Sequence, residues 1–206
     1  MVYSDVITVP NALTLIRLVC SPLMLPMVFA YLLPINSFII NFLLAILFLL
    51  FGGTDFLDGY LARKRDQASV LGSILDPIAD KFLIYSALIG VMAAGKIYFY
   101  WVIILIGREF FIMGIRQLAA ERGFMIPVSF WSKLKTVLQM MMLVYIIINP
   151  YQQTPLFEAL WWHCGEWILL LSTMILSLAT AHWYYQEFIQ RAGGYQELLK
   201  RKPTSS

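Results

Sequence analysis

The residues that decide the fold run from Asp55 to Asp80 and read DFLDGYLARKRDQASVLGSILDPIAD. Two pairs of aspartates lie in this stretch, Asp55 with Asp58 and Asp76 with Asp80. On a helix, spacings of three and of four residues both place two side chains on one face, about one turn apart. The segment from Gly59 to Leu75 predicts a hairpin that returns the chain. We therefore expect the four carboxylates to share one pocket.

The composition of the whole chain is typical of a membrane protein. Hydrophobic residues make up 60% of its 206 residues, only 13% are charged, and the mean hydropathy is +0.75. A soluble domain is about half apolar and about a quarter charged. A soluble protein of this composition would expose large apolar patches and aggregate. The sequence therefore predicts an integral membrane protein.

Six apolar segments approach or exceed the length of about 20 residues that a bilayer crossing requires. All six are expected to be helices, because lipid offers no partner to unpaired backbone groups. The predicted spans are 12–33, 38–61, 75–94, 97–118, 130–148 and 167–188. The predicted fold is all-α, a bundle of six transmembrane helices in a membrane domain of residues 1–190 with a short polar tail, 191–206. A signal peptide is the alternative for the first span, but that span is too long and lacks a small-residue cleavage site.

The placement of lysine and arginine predicts the orientation of the spans. These residues cluster after span two, around the junction of spans four and five, and after span six, whereas the loops on the other side offer only Lys96. By the positive-inside rule, both termini and the two basic loops, after span two and between spans four and five, are cytoplasmic. A bacterial inner membrane is the simplest location. The basic residues form no stripe that alternates with aromatics, so no nucleic-acid partner is expected.

The four aspartates predict a site for divalent metal. An Asp at the centre of a span costs about 2.5 to 3.5 kcal/mol on insertion scales, and crowded carboxylates repel one another further. Bound cations offset both costs. Hard oxygen ligands favour Mg²⁺, Mn²⁺ or Ca²⁺, whereas zinc prefers His or Cys. The chain has only His163 and His182, and neither lies near the aspartates in sequence.

Two other interpretations of the aspartates are open. They could pair with neighbouring cations, namely Arg63, Lys64, Arg65 and Lys81. They could also form a relay for ion or proton transport. Transport sites usually lie near the midplane on interrupted helices, whereas these aspartates are predicted at one membrane face. That position favours a site open to a soluble phosphate substrate.

The full pattern is D-x2-D-G-x2-A-R-x8-G-x3-D-x3-D, and every fixed position is occupied. It resembles the signature of the CDP-alcohol phosphotransferase family of membrane enzymes. The resemblance implies that Asp55, Asp58 and Asp76 are metal ligands for Mg²⁺ or Mn²⁺, with two ions in each site. It implies that Asp80 is the general base and also touches the second metal. It further implies a homodimer and a CDP-binding surface made by Gly59, Ala62, Arg63 and Gly72.

These residue types suit a CDP site physically. Gly59 and Gly72 allow a nucleotide to approach the backbone closely, and Arg63 can donate paired hydrogen bonds to phosphate. Each has a simpler interpretation when taken singly. Glycine also serves helix packing in membranes, and Arg63 could act only as a charge that sets topology.

Three further segments of the sequence indicate which alcohol accepts the transferred group. They resemble the bacterial branch of the family whose acceptor is glycerol 3-phosphate, although Ser132 stands where that branch often has glycine. The resemblance implies that the enzyme uses CDP-diacylglycerol as donor within the lipid bilayer. The segments contribute Asn11, Thr14 and Arg17 in span one, Arg108, Glu109 and Arg116 in span four, and Lys133 and Lys135 in span five.

The negative charge of glycerol 3-phosphate would explain why its pocket contains several basic residues. Glycerol 3-phosphate brings a dianion, and Arg108 and Arg116 are two helical turns apart, which predicts that they share a face. Lys133 and Lys135 could close the pocket, and Glu109 could orient one of the arginines. Topology alone is the alternative for Arg116 and the two lysines. Inositol phosphate or phosphatidylglycerol is the alternative acceptor, and a cation or proton transporter is the alternative function.

Overall fold

The computed structural model describes the backbone of residues 9–64, 70–151 and 159–201, and the side chains of residues 18–52, 78, 81–151 and 159–193. All regular structure in these residues is helical, which confirms the all-α prediction for the described part of the chain. The helices are α1 (Val9–Leu32), α2 (Phe38–Lys64), α3 (Val70–Ala93), α4 (Phe99–Glu121), α5 (Phe130–Ile148) and α6 (Leu160–Arg201). A 3₁₀ turn, Leu33–Ile35, follows α1.

The helix bounds agree with the predicted spans except in α6. Helix α5 has the predicted bounds, and α1 to α4 differ from their predictions by a few residues at each end. Helix α6 is 42 residues long, whereas span six was predicted as 167–188. The prediction was too short because it followed hydropathy, while helical hydrogen bonding continues into the polar segment. An ion pair between Arg191 and Glu187, with Nε and Oε1 2.5 Å apart, stabilises that extension.

Three of the described helices are long and apolar enough to cross a membrane. They contain the segments Leu18–Ile35, Phe130–Ile148 and Leu160–Gly193. Two shorter apolar segments, Phe38–Gly52 and Lys81–Ala93, lie in α2 and α3. Many large apolar side chains on these helices are exposed, among them Leu23, Ile39 and Ile168. The chain is therefore an integral membrane protein whose helices present apolar surface to lipid.

The first of two compact units comprises Met1–Val102 and Met140–Glu166. In it, α1 packs closely along α3, and α2 packs against both. The two helices approach each other closely at Gly90 of α3, where an added Cβ would lie 2.9 Å from both the Phe29 Cβ and the Pro26 Cα. Only glycine fits this position without displacing the backbone of α1. The packing of α1 on α3 therefore depends on a missing side chain.

In the same unit, a buried lysine forms hydrogen bonds with carbonyl groups at the carboxyl end of α5. Lys96 is 5% exposed, and its Nζ donates hydrogen bonds to the carbonyl oxygens of Ile146 and Ile147 at 3.4 Å and of Asn149 at 2.5 Å. The Asn149 amide donates to Glu166 Oε2 at 3.1 Å. A cation at this end of a helix satisfies carbonyls that have no helical partner and interacts favourably with the helix dipole.

The burial of Lys96 predicts a dependence of stability on pH. Burial lowers the pKa of Lys96 from 10.5 to about 8, and the charge of Glu166 opposes the shift. Between these two pKa values the unfolded chain holds a proton that the folded protein has released. The free energy of unfolding therefore rises as the pH increases from about 8 to about 10.5, by at most about 3 kcal/mol.

Thermal unfolding of the detergent-solubilised protein measures this effect. Wild type should gain stability relative to Lys96→Met as the pH is raised from 7.5 to 9.5, because the variant lacks the titrating amine. A constant offset between wild type and Lys96→Met would contradict the prediction.

The second compact unit comprises Ile103–Gln139 and Trp167–Ser206. It contains most of α4, the first half of α5 and most of α6. Its buried apolar cluster is formed by Ile112, Ile115, Ala119, Ile126, Ala181 and Tyr184, with Phe124 and Phe188 packed against it. This cluster holds α4 and α6 together near the segment that precedes α5.

Candidate active site

The structure places each aspartate pair on one continuous helix. Asp55 and Asp58 lie on α2, and Asp76 and Asp80 lie on α3, in two helices that pack against each other in the first unit. The side chains of all four lie outside the described residues. Because residues three or four apart on a helix share a face, the helical backbone supports the prediction that each pair of aspartates lies on one face of its helix.

The predicted hairpin is shorter than the sequence suggested. It was expected over 59–75, but α2 continues to Lys64 and α3 begins at Val70, so at least 59–64 and 70–75 are helical. The segment 65–69 between them lies outside the described residues. The predicted hairpin was too long because its bounds followed hydropathy, whereas a helix continues as long as its backbone hydrogen bonds are made.

Because α2 and α3 extend further than predicted, the small residues assigned to CDP binding lie on the same helix faces as the aspartates. Gly59 and Ala62 follow Asp55 by four and seven residues, which is the repeat of one helix face. On α3, Gly72 precedes Asp76 by four residues and lies on the same side of its helix. Small residues thus share the faces that carry the acids. The side chains of Ala62 and Arg63 also lie outside the described residues, and their roles stay predictions.

The ligand atoms that the four aspartates offer determine which metal ions could bind to α2 and α3. Four carboxylates in two helical pairs offer hard oxygen ligands, which fit Mg²⁺ or Mn²⁺ and not a thiolate-preferring or imidazole-preferring ion. Among the side chains that the structure describes, no group of three or more His, Cys, Asp or Glu residues could hold a metal. The aspartates of α2 and α3 therefore remain the candidate metal ligands.

The described part of the second unit contains a buried ionic cluster built around Arg108 of α4. Arg108 is 8% exposed and Lys135 of α5 is 4% exposed. Arg108 Nη1 lies 2.5 Å from Glu109 Oε1, and Lys135 Nζ donates to the same oxygen. The sequence predicted that Glu109 could orient an arginine, and the carboxylate contacts both Arg108 and Lys135. Among the described residues, the two cations Arg108 and Lys135 share the carboxylate of Glu109.

Helix α6 holds the other side of the Arg108 guanidinium. Arg108 Nε donates to the carbonyl oxygen of Ser177 at 2.8 Å, and Nη2 donates to Thr180 Oγ1. Span six had offered no motif in the sequence, so both contacts were missed. The sequence contains only a weak indication of these contacts. Two hydroxyl residues, Ser177 and Thr180, lie three apart in an apolar helix, a spacing that places them on one face.

The other predicted acceptor residues differ from this cluster in their burial. Arg116 and Lys133 are exposed, whereas Arg108 and Lys135 are buried. Eight residues at 3.6 per turn leave Arg108 and Arg116 about 80° apart around α4, which explains how one is buried and the other is not. The predicted common face is therefore only approximate. The supporting residues Asn11, Thr14 and Arg17 lie on α1, with side chains outside the described residues.

Ser132, which departs from the glycine common in the related branch, has a local structural role. Its backbone N–H donates to Ser129 Oγ at 3.3 Å, so Ser129 caps the amino end of α5. Its hydroxyl donates to Tyr184 Oη at 3.4 Å. These contacts stabilise the start of the helix that carries Lys133 and Lys135.

Comparison with known proteins places these features in a family context. The sequence model described as CDP-alcohol phosphatidyltransferase matches residues 7–183. The chain is 32% identical over 177 residues to a Rickettsia bellii protein named CDP-diacylglycerol–glycerol-3-phosphate 3-phosphatidyltransferase, covering 86% of this chain and 93% of that protein. It is 40% identical over 141 residues to a protein of the same name from Haemophilus influenzae, covering 66% and 72% of the two chains. A third, from Pseudomonas fluorescens, is 33% identical over 151 residues, covering 69% and 73%.

Proposed function

Because the chain belongs to the CDP-alcohol phosphatidyltransferase family, we propose that it transfers the phosphatidyl group of CDP-diacylglycerol to glycerol 3-phosphate. The products are phosphatidylglycerophosphate and CMP. The observation that carries this proposal is the complete aspartate pattern, with one pair on α2 and the other on α3. The names of the related proteins support the choice of donor and acceptor.

The donor headgroup would bind at the aspartate-bearing faces of α2 and α3. Asp55, Asp58 and Asp76 would hold Mg²⁺ or Mn²⁺, with two ions in each site as in the family's pattern, and Asp80 would also contact the second ion. Bound divalent ions would neutralise the diphosphate and the CMP leaving group and lower the pKa of a nearby hydroxyl. Gly59, Ala62 and Gly72 would let the cytidine diphosphate approach the helix backbone, and Arg63 would donate hydrogen bonds to phosphate.

Asp80 would act as the general base. Its carboxylate takes the proton from the primary hydroxyl of glycerol 3-phosphate as that oxygen attacks the β-phosphorus of CDP-diacylglycerol. A new phosphorus–oxygen bond forms to the acceptor, and the bond to the CMP oxygen breaks. The proton ends on Asp80 and the electron pair leaves with CMP. No covalent enzyme intermediate is required.

The ionic cluster of the second unit would bind the phosphate of the acceptor. Arg108 has five N–H donors, and three of them are used by Ser177, Thr180 and Glu109. The remaining two, one on each terminal nitrogen, have no partner among the side chains that the structure describes. These two donors suit the oxygens of a phosphate dianion. Lys135 would contribute charge to the same site.

The more exposed predicted residues would complete acceptor binding. Arg116 and Lys133 are exposed and keep their cationic groups accessible to a soluble anion. Such charges raise the local concentration of an anionic substrate. Asn11, Thr14 and Arg17 of α1 would have a supporting role in substrate binding.

The proposed setting is a bacterial inner membrane with the active site facing the cytoplasm. The six apolar segments support six transmembrane helices, and the distribution of basic residues supports two cytoplasmic termini. Arg116, Arg122 and Lys133 are all exposed around the junction of α4 and α5, as expected for residues at a water-facing membrane surface. The family pattern further suggests a homodimer, which cross-linking in native membranes would test.

An acceptor panel tests the function directly. The detergent-purified protein is incubated with CDP-diacylglycerol and Mg²⁺ and with glycerol 3-phosphate, inositol phosphate, phosphatidylglycerol or serine in turn. We expect CMP release only with glycerol 3-phosphate, and phosphatidylglycerophosphate as the lipid identified by mass spectrometry. A product from another acceptor would reassign the substrate. Absence of CMP release with every acceptor would overturn the transferase proposal and favour transport, which requires a sealed membrane.

A further inference from the structure

The guanidinium of Arg108 is held by a closed ring of hydrogen bonds on α6. Arg108 Nε donates to the Ser177 carbonyl oxygen at 2.8 Å, and Arg108 Nη2 donates to Thr180 Oγ1. Thr180 Oγ1 in turn lies 2.9 Å from the same Ser177 carbonyl oxygen and 2.8 Å from that of Leu176. The threonine hydroxyl therefore accepts from Arg108 while its own proton is directed at the helix backbone.

This ring fixes the plane of the guanidinium. Nε and Nη2 form one edge of the planar group, and both donate to α6, so rotation about the end of the side chain would break two bonds together. Thr180 is 3% exposed and β-branched, so its rotamer is restricted by packing and by its own chemistry. Glu109 then binds Nη1. The N–H groups left over lie one on each terminal nitrogen, where a phosphate could accept both.

The same contacts extend to the second cation. Glu109 Oε1 accepts from both Arg108 and Lys135, so the position of the arginine also constrains the carboxylate that holds the lysine. The hydrogen-bonded chain runs from Thr180 on α6 through Arg108 and Glu109 on α4 to Lys135 on α5. One neutral hydroxyl thus connects to both buried cations of the cluster.

We propose that Thr180 is a positioning residue for the acceptor substrate. Its hydroxyl orients Arg108, and through Glu109 it orients Lys135, so that both cations meet the phosphate of the acceptor in a fixed geometry. This inference rests on the proposed transferase function. Thr180 touches no substrate itself, and its effect is on the binding of the phosphate-bearing acceptor and not on the binding of the CDP-linked donor.

Thr180→Val tests the inference because valine keeps the shape of threonine and removes the hydroxyl. The KM for glycerol 3-phosphate should rise roughly tenfold to a hundredfold, the range that loss of a hydrogen bond to a charged group implies. The KM for CDP-diacylglycerol should stay within about twofold. Thr180→Ser restores the hydroxyl and should bring the acceptor KM back to within about threefold of wild type.

Thr173→Val is the matched control. Thr173 is a fully buried threonine on the same helix, and its Oγ1 has no hydrogen-bond partner among the described residues. The two substitutions are chemically identical, so both remove a buried hydroxyl from α6, but only one of them removes a contact with Arg108. Thr173→Val should leave both KM values unchanged.

Several results would overturn the positioning role. These are an equal rise in both KM values, the same effect from Thr173→Val, or failure of Thr180→Ser to restore acceptor binding. If Thr180→Val does not fold, Thr180→Cys replaces the hydroxyl with a weaker acceptor of similar size and should also raise the acceptor KM selectively. Misfolding of both, with Thr173→Val folded, would assign Thr180 a purely structural role.

The assay separates this inference from the proposed function. If wild-type protein forms no phosphatidylglycerophosphate, the proposed function fails, and the kinetic comparison has no basis. If wild type is active and Thr180→Val has an unchanged acceptor KM, only the positioning role of Thr180 fails. Circular dichroism and gel filtration of each variant confirm that the compared proteins are folded and monodisperse.

Discussion

Asp80→Asn is expected to lower kcat by about 10² to 10⁴-fold, the contribution usually made by a general base. The carboxamide has nearly the size of the carboxylate but does not accept a proton at neutral pH. Binding of CDP-diacylglycerol should persist, because Asp55, Asp58 and Asp76 still supply carboxylates to the donor site. The measurement pairs CMP release under saturating substrates with equilibrium binding of the donor.

Asp66→Asn is the control for this substitution. Asp66 lies in the same stretch of sequence but at none of the fixed positions of the pattern, so its replacement should leave kcat within about twofold. Turnover close to that of wild type in Asp80→Asn would remove the base role from Asp80. Loss of donor binding along with turnover would instead make Asp80 a ligand of the donor site.

Replacement of a proposed metal ligand should have an equally large effect. Asp55→Asn and Asp76→Asn each remove one carboxylate from a different helix, and we expect activity to fall on the order of a thousandfold, since metal stabilisation of phosphoryl transfer is worth several kcal/mol. Mn²⁺ binding, followed by electron paramagnetic resonance of the purified protein, should weaken in both variants. This readout does not depend on turnover.

Removal of the metal provides the complementary test. EDTA should abolish the activity of wild type, and added Mg²⁺ or Mn²⁺ should restore it. Asp66→Asn again serves as the control and should bind Mn²⁺ as wild type does. Full activity in EDTA, or unchanged Mn²⁺ binding in both Asp55→Asn and Asp76→Asn, would refute the metal-assisted mechanism.

The helices that carry the aspartates could be predicted from sequence because spacing along a helix is a local property. Apolar runs of the right length predicted all six helices, and α5 has the predicted bounds. The end of α2 and the length of α6 were less well predicted. Hydropathy marks where a chain can be buried in lipid, whereas a helix continues as long as its backbone hydrogen bonds and side-chain pairs favour it.

The polar contacts between distant segments could not be predicted in the same way. Arg108 was singled out as a buried cation in need of an anion, but its bonds to Ser177 and Thr180 join residues 69 and 72 positions away. Lys96 was read as a loop charge, and its burial against the end of α5 depends on tertiary packing. A single sequence carries no periodic signal for such contacts.

The glycine contact between α1 and α3 affects how firmly the proposed active-site aspartates of α3 are held in position. Gly90 lies ten residues from Asp80 on α3, a distance of about 15 Å along the helix axis. Because its backbone rests directly against Pro26 and Phe29, α3 has little freedom to slide or turn on α1. A displacement of about 1 Å at reacting groups can cost about a hundredfold in rate. Gly90 thus limits how far the two aspartates of α3, which we propose as a metal ligand and the general base, can move relative to α1.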